Sequence, residues 1–80
     1  MDHRLKSWPQ FFEATRKGPK RFEVRKNDRN YNVGDTLTFF EWDPEKQDFT
    51  GEMETGFRVV YLLKNCPGIE PGYCVMGIER

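Results

Sequence analysis

Apolar positions recur with helical period near the start of the chain and with strand period through the rest. Trp8, Phe11, Phe12 and Thr15 stand at i, i+3, i+4 and i+7, which is one face of an α-helix. Ser7 with Gln10 three residues on has the form of a capping box, and Pro9 falls in the first turn, where its missing N–H is not needed. Arg16 and Lys17 suit the negative end of the helix dipole. Gly18 can take the left-handed conformation that ends a helix, and Pro19 prevents continuation. The spacing predicts a helix over Trp8–Lys17. Ahead of it, His3-Arg4-Leu5-Lys6 reads as a short strand.

After the helix the period becomes two. Phe22 and Val24 alternate with Arg21, Glu23 and Arg25 over Arg21–Lys26. Thr36–Trp42 is rich in Thr and aromatic residues, Phe57–Leu63 is the most apolar run, and Tyr73–Ile78 closes the pattern. Between them lie a polar loop at Asn27–Asn32, turn signals at Val33-Gly34-Asp35 and Thr50-Gly51, and a solvated loop at Asp43–Asp48. Cys66-Pro67-Gly68 and Pro71-Gly72 bracket a further loop. These elements predict an α+β fold: a small pseudo β-barrel of five to six mostly antiparallel strands with one main helix packed beside it. The alternation assigns Phe11, Phe22, Val24, Leu37, Val59 and Ile78 to the core.

Eighty residues suffice for one small domain, residues 1–80. A chain of this size buries only about 60–65% of its unfolded surface. The seven Phe and two Trp therefore have to fill much of a small core. The longest uncharged apolar runs are about five residues, against the roughly 20 that span a bilayer. With no membrane segment and no apolar leader at the first residues, a cytoplasmic location is expected.

The zero net charge hides an asymmetry. Residues 1–30 carry nine Lys or Arg against four Asp or Glu, and residues 31–80 carry four against nine. Either one surface is basic, or the cations of the first part pair with the acids of the second. Cys66 and Cys74 are too few for a disulfide framework, and Cys74 alternates with Met76 and Ile78 toward the core. Two cysteines and His3, which such an isolated position leaves solvated, do not make a zinc site. No metal or other cofactor is expected.

Candidate chemistry concentrates after the helix. Lys20 and Arg25 suit a phosphate or carboxylate, Arg25 in bidentate fashion. Glu23 can accept from the amino edge of a base, or can simply hold Arg25 or another cation in place. Lys26 and Arg29 extend the basic strip, while Asn27, Asp28 and Asn30 suit an Asx-type turn. Lys6 joins this site if the first strand lies beside it. Trp8, Tyr31, Trp42 and Tyr73 are candidates to stack on a base, and Tyr31, in the polar loop, is the best placed of them to be exposed.

Gly18-Pro19-Lys20-Arg21-Phe22-Glu23-Val24-Arg25, directly after a short helix, resembles the Gly-x-Lys-x-x-Glu-x-Arg signature of the ASCH domains, small members of the PUA-like superfamily. The resemblance extends through Asn27-Asp28-Arg29-Asn30, Val33-Gly34-Asp35 and Gly72–Ile78, and is closest to a small bacterial and phage branch. It implies a PUA-like pseudo-barrel that binds RNA, or a modified nucleoside or nucleotide, with the motif residues Lys20, Glu23 and Arg25 in its site; charge and loop position add Arg29, Lys6 and Tyr31 as ligand-binding candidates. Some ASCH relatives are small amidohydrolases that deacylate modified cytidine with a lysine, a threonine three residues later and a glutamate on a later strand. Lys20 matches the first, Glu23 occupies the threonine position, and Glu52, Glu54 and Glu70 compete for the third. Lys20 and Glu23 are thus the candidate catalytic residues of the enzyme reading. Three functions follow: an RNA- or nucleotide-binding module, an amidohydrolase acting on an acylated or otherwise modified nucleoside, and a protein-interaction adaptor.

Overall fold

The computed structural model describes residues 1–80 as one helix and five strands in a single curled sheet. In chain order these are β1 (Asp2–Ser7), α1 (Pro9–Lys17), β2 (Phe22–Lys26), β3 (Thr36–Asp43), β4 (Asp48–Leu63) and β5 (Tyr73–Glu79). The sheet order is β1-β3-β4-β5-β2. β1 runs parallel to β3, and every other neighbouring pair is antiparallel. The result is a half-barrel whose two edge strands are β1 and β2.

β4 is the strand that curls the sheet. Its first part pairs with β3 and its last part with β5. Leu37 is opposite Phe57 but Phe39 is opposite Glu54, so β4 carries an extra residue over this interval. Gly56 sits there at φ 86°, a backbone conformation open to glycine and strained for most other residues. Further register shifts fall opposite Glu41 and between Val59 and Tyr61. Each such bulge bends and twists the strand that carries it. Thr50-Gly51, which has the composition of a turn, lies inside β4 at one of these shifts.

The concave face holds the core: Leu5, Phe12, Tyr31, Leu37, Phe39, Phe57, Val59, Cys74, Met76 and Ile78. Phe39 and Phe57 meet edge to face, with centroids 5.4 Å apart. Burial pushes the Cys74 thiol up from its ordinary range. Leu37, Val59 and Ile78 occupy the core as the alternation predicts, but Phe11, Phe22 and Val24 do not.

The reversal in β2 comes from its register. Glu23 lies opposite Met76 and Arg25 opposite Cys74, and directly opposed residues share a face. Glu23 therefore faces inward and is 4% exposed. Phe22 and Val24 turn outward and are 48% and 55% exposed. The helix stripe is also narrower than its spacing suggests, with Phe12 and Thr15 buried and Phe11 half-exposed. Ser7 makes no cap because it is the last residue of β1. Trp8 is the N-cap, with extended backbone and no side-chain capping bond.

Asp35 ties β1 to the turn before β3. Its Oδ2 lies 2.8 Å from His3 Nε2 and accepts from the Asn32 N–H at 3.0 Å, while Oδ1 accepts from the Met1 amino group at 3.2 Å. His3 is consequently buried, not solvated, and its ring meets Tyr31 edge-on at 4.7 Å. Chiefly through the His3 hydrogen bond, the Asp35 carboxyl is held below the usual carboxylate range. A carboxyl whose pKa is lowered on folding stabilises the fold above its unfolded pKa. That stability is lost as pH falls through the folded value. Urea midpoints should thus drop below about pH 4, and Asp35→Asn should unfold more easily at neutral pH while losing part of this acid dependence. An unchanged acid profile in Asp35→Asn would contradict the assignment.

The register of β2 gives a second expectation. Phe39→Ala should cost about 3–5 kcal/mol in denaturant unfolding, and Phe22→Ala less than about 1 kcal/mol. Equal losses would show that Phe22 belongs to the core.

Candidate functional site

The end of α1 sets the position of Lys20. Gly18 adopts φ 110°, and both the Gly18 and Lys20 N–H groups donate to Ala14 O, at 3.2 and 3.1 Å. A side chain at position 18 would be strained at that φ and would crowd the Arg21 guanidinium. The chain thus turns sharply, and Lys20 stands at the mouth of β2.

Lys20, Glu23 and Arg25 form one cluster. Lys20 Nζ donates to Glu23 Oε1 and, at 2.7 Å, to Phe22 O. Arg25 Nε donates to Glu23 Oε2 at 2.8 Å, and its Nη2 donates to Lys6 O at 2.8 Å. Each oxygen of the nearly buried carboxylate therefore has a cationic donor, as a buried charge requires. The second of these Arg25 bonds crosses from β2 to β1, where no backbone ladder joins the two edges. Arg29 makes a similar bridge, Nη1 donating to Arg4 O at 2.9 Å.

This unpaired seam opens into a cleft of about 430 Å³. Lys20, Glu23, Arg25 and Lys6 line it together with Ser7, which is nearly buried. Its apolar lining is Trp8, Phe11, Phe22 and Val24. Trp8 and Phe11 stack with ring centroids 6.4 Å apart, while Lys6 Nζ lies 4.3 Å from the centroid of the Trp42 ring. A smaller depression of about 180 Å³ adjoins through Arg25, with Lys26, Asp28, Arg29, Leu5 and Tyr31 as its other lining residues.

The structure brings Lys6, Lys20, Glu23 and Arg25 together and places Arg29 in the neighbouring depression. It removes Tyr31 from the stacking candidates: Tyr31 is 2% exposed, and burial pushes its hydroxyl pKa up. The exposed aromatic lining comes instead from Trp8, Phe11 and Phe22. Sequence reasoning missed Phe11 and Phe22 as lining residues because it assigned apolar residues to the core. The only sequence signal for them is proximity to the charged motif. Ser7, whose spacing to Gln10 suits a capping box, instead ends β1 and lines the cleft.

The cations of residues 1–30 are mostly not neutralised by the acidic remainder. Arg16 pairs with Glu52 at 2.7 Å and Glu54 at 3.3 Å, and these neighbours hold its guanidinium pKa up. Lys17 pairs with Glu13 within the helix, and Lys20 and Arg25 with Glu23. Arg4, Lys6, Arg21, Lys26 and Arg29 form no ion pair; Arg21 instead donates to Thr15 O at the end of α1, and the other four lie along the seam. The cleft is thus cationic around one carboxylate, Glu23, and the adjoining depression sets Asp28 among Arg25, Lys26 and Arg29. Glu52, Glu54 and Glu70 do not line the cleft.

A 40-residue stretch is 48% identical to part of a protein of Escherichia phage P2 described as "Uncharacterized 12.9 kDa protein in GpA 3'region". The match covers 50% of this chain and 37% of that protein, so this chain corresponds to well under two thirds of the relative. A family model described as "Domain of unknown function (DUF3850)" matches residues 2–78, and on that coverage the chain belongs to this family of small domains.

Proposed function

We propose that this protein is a PUA-like domain of the ASCH type that binds RNA or a nucleotide in the cleft between β1 and β2. The observation that carries this reading is Glu23. A carboxylate turned into the mouth of a half-barrel, held by Lys20 and Arg25 and flanked by exposed aromatic rings, offers both hydrogen bonding and stacking to a heterocycle. The unpaired Lys6, Lys26, Arg4 and Arg29 supply a cationic track for phosphates. A volume of about 430 Å³ lies within the range of small-molecule pockets.

The enzyme reading has less support. The threonine position of the amidohydrolase pattern is Glu23, and the cleft contains no second carboxylate.

Titration with short RNAs tests the proposal. Affinity should fall as salt rises, because phosphate contacts release counterions. Arg29→Ala should weaken binding to all sequences alike and flatten the log–log salt slope by about one contact. Glu23→Gln should reduce discrimination between sequences more than overall affinity. If neither substitution changes the titrations at low salt, this surface is not the binding site. The adaptor reading, through the exposed Phe49 and Met53 of the β3–β4 hairpin, then becomes the better one.

A further inference from the structure

The hydrogen bonds already made on the cleft floor determine what is left for a ligand. Lys20 carries three N–H donors and uses one on Glu23 and one on Phe22 O, so one is unused. Glu23 accepts one hydrogen bond on each oxygen, and a carboxylate has about four lone-pair sites, so acceptor capacity remains. Arg25 uses Nε and Nη2, while its Nη1 donates to no protein atom. No unpartnered polar side-chain atom of such a partly buried residue is sealed from solvent, so Nη1 is accessible. Lys20 and Arg25 approach opposite oxygens of Glu23, which places the carboxylate between the two cations. All three residues line the cleft, so the order of groups along it is cation donor, carboxylate acceptor, cation donor.

We infer that the cleft selects a base with the complementary edge of acceptor, donor, acceptor, namely the cyclic imide of a 2,4-dioxopyrimidine such as uracil or thymine. The imide N–H points at Glu23, and the two flanking carbonyls accept from Lys20 and Arg25. The bond to Glu23 is charge-assisted and hence among the stronger kinds. Cytosine presents an amino group, a lone-pair nitrogen and a carbonyl, so it sets donor against donor at Lys20 or Arg25 and acceptor against acceptor at Glu23. Guanine presents a carbonyl, an N–H and an amino group, and its amino group meets a donor. Adenine sets its lone-pair nitrogen against the carboxylate. The exposed Phe22, Trp8 and Phe11 rings suit any flat base, so discrimination falls to the floor. This inference rests on the nucleic-acid reading above.

Calorimetric titration of the whole chain with octanucleotides provides the test. The four ligands are oligouridine, oligothymidine, oligocytidine, and oligouridine carrying N3-methyluridine throughout, which lacks the imide N–H. Oligouridine, oligothymidine or both should bind about tenfold or more tightly than oligocytidine, a ratio within the range of one base-edge readout. Comparison of the uridine and thymidine ligands distinguishes an RNA from a DNA source of the same imide. N3-methylation should remove the advantage, an arm that needs no protein variant. Glu23→Gln, shown to be folded by circular dichroism, should bring the uridine-to-cytidine ratio close to one. Equal binding of uridine, cytidine and N3-methyluridine ligands would overturn the imide inference and leave nucleic-acid binding standing. Failure of every oligonucleotide to bind at low salt would overturn the nucleic-acid reading, and this inference with it.

Discussion

Glu23 points into the half-barrel, and much of the surrounding architecture follows from the need to satisfy a carboxylate there. An unpaired buried carboxylate is costly, so both of its oxygens require donors. Lys20 supplies one from the turn that ends α1, and Arg25 supplies the other from the same strand. Arg25 then reaches Lys6 O on the opposite edge and helps to bridge a seam that no backbone ladder closes. Strand alternation forces Phe22 and Val24 outward, where they line the cleft instead of filling the core.

Two features remote from the cleft bring its edges together. The bulges of β4 let a single strand pair first with β3 and then with β5, curling the sheet until β1 and β2 approach each other. Asp35 fastens the start of β1 through His3 and the Met1 amino group, and it holds the turn that leads into β3. The resulting seam keeps polar backbone groups of β1 available on its open side. Arg25 and Arg29 use two of those carbonyls, which protects part of an otherwise exposed strand edge.

Much of the fold was legible in the sequence because its signals were local. Gly18-Pro19 ended the helix within a residue of its observed end, and the runs at Thr36–Trp42 and Tyr73–Ile78 lie within observed strands. The length of β4 was not legible, because Thr50-Gly51 has the composition of a turn yet lies at a register shift inside one long strand. The grouping of Lys20, Glu23 and Arg25 could be read from a single strand and its entry turn. The direction in which Glu23 faces could not. Alternation places Phe22 and Val24 opposite Glu23 and Arg25, but only the pairing of β2 with Met76 and Cys74 decides which pair looks inward. His3 and Tyr31 were misread for a related reason, since their burial depends on Asp35 and on packing between distant segments.

The most direct test of the central claim is a map of backbone amide shifts in the ¹H–¹⁵N spectrum as a short single-stranded oligonucleotide is added at low salt. The account predicts that the largest movements cluster at Lys6 to Phe11 and Lys20 to Arg25, with smaller ones at Arg29, and that the tip of the β3–β4 hairpin stays still. Movements confined to that hairpin, or to the outer face around Tyr61, would contradict it.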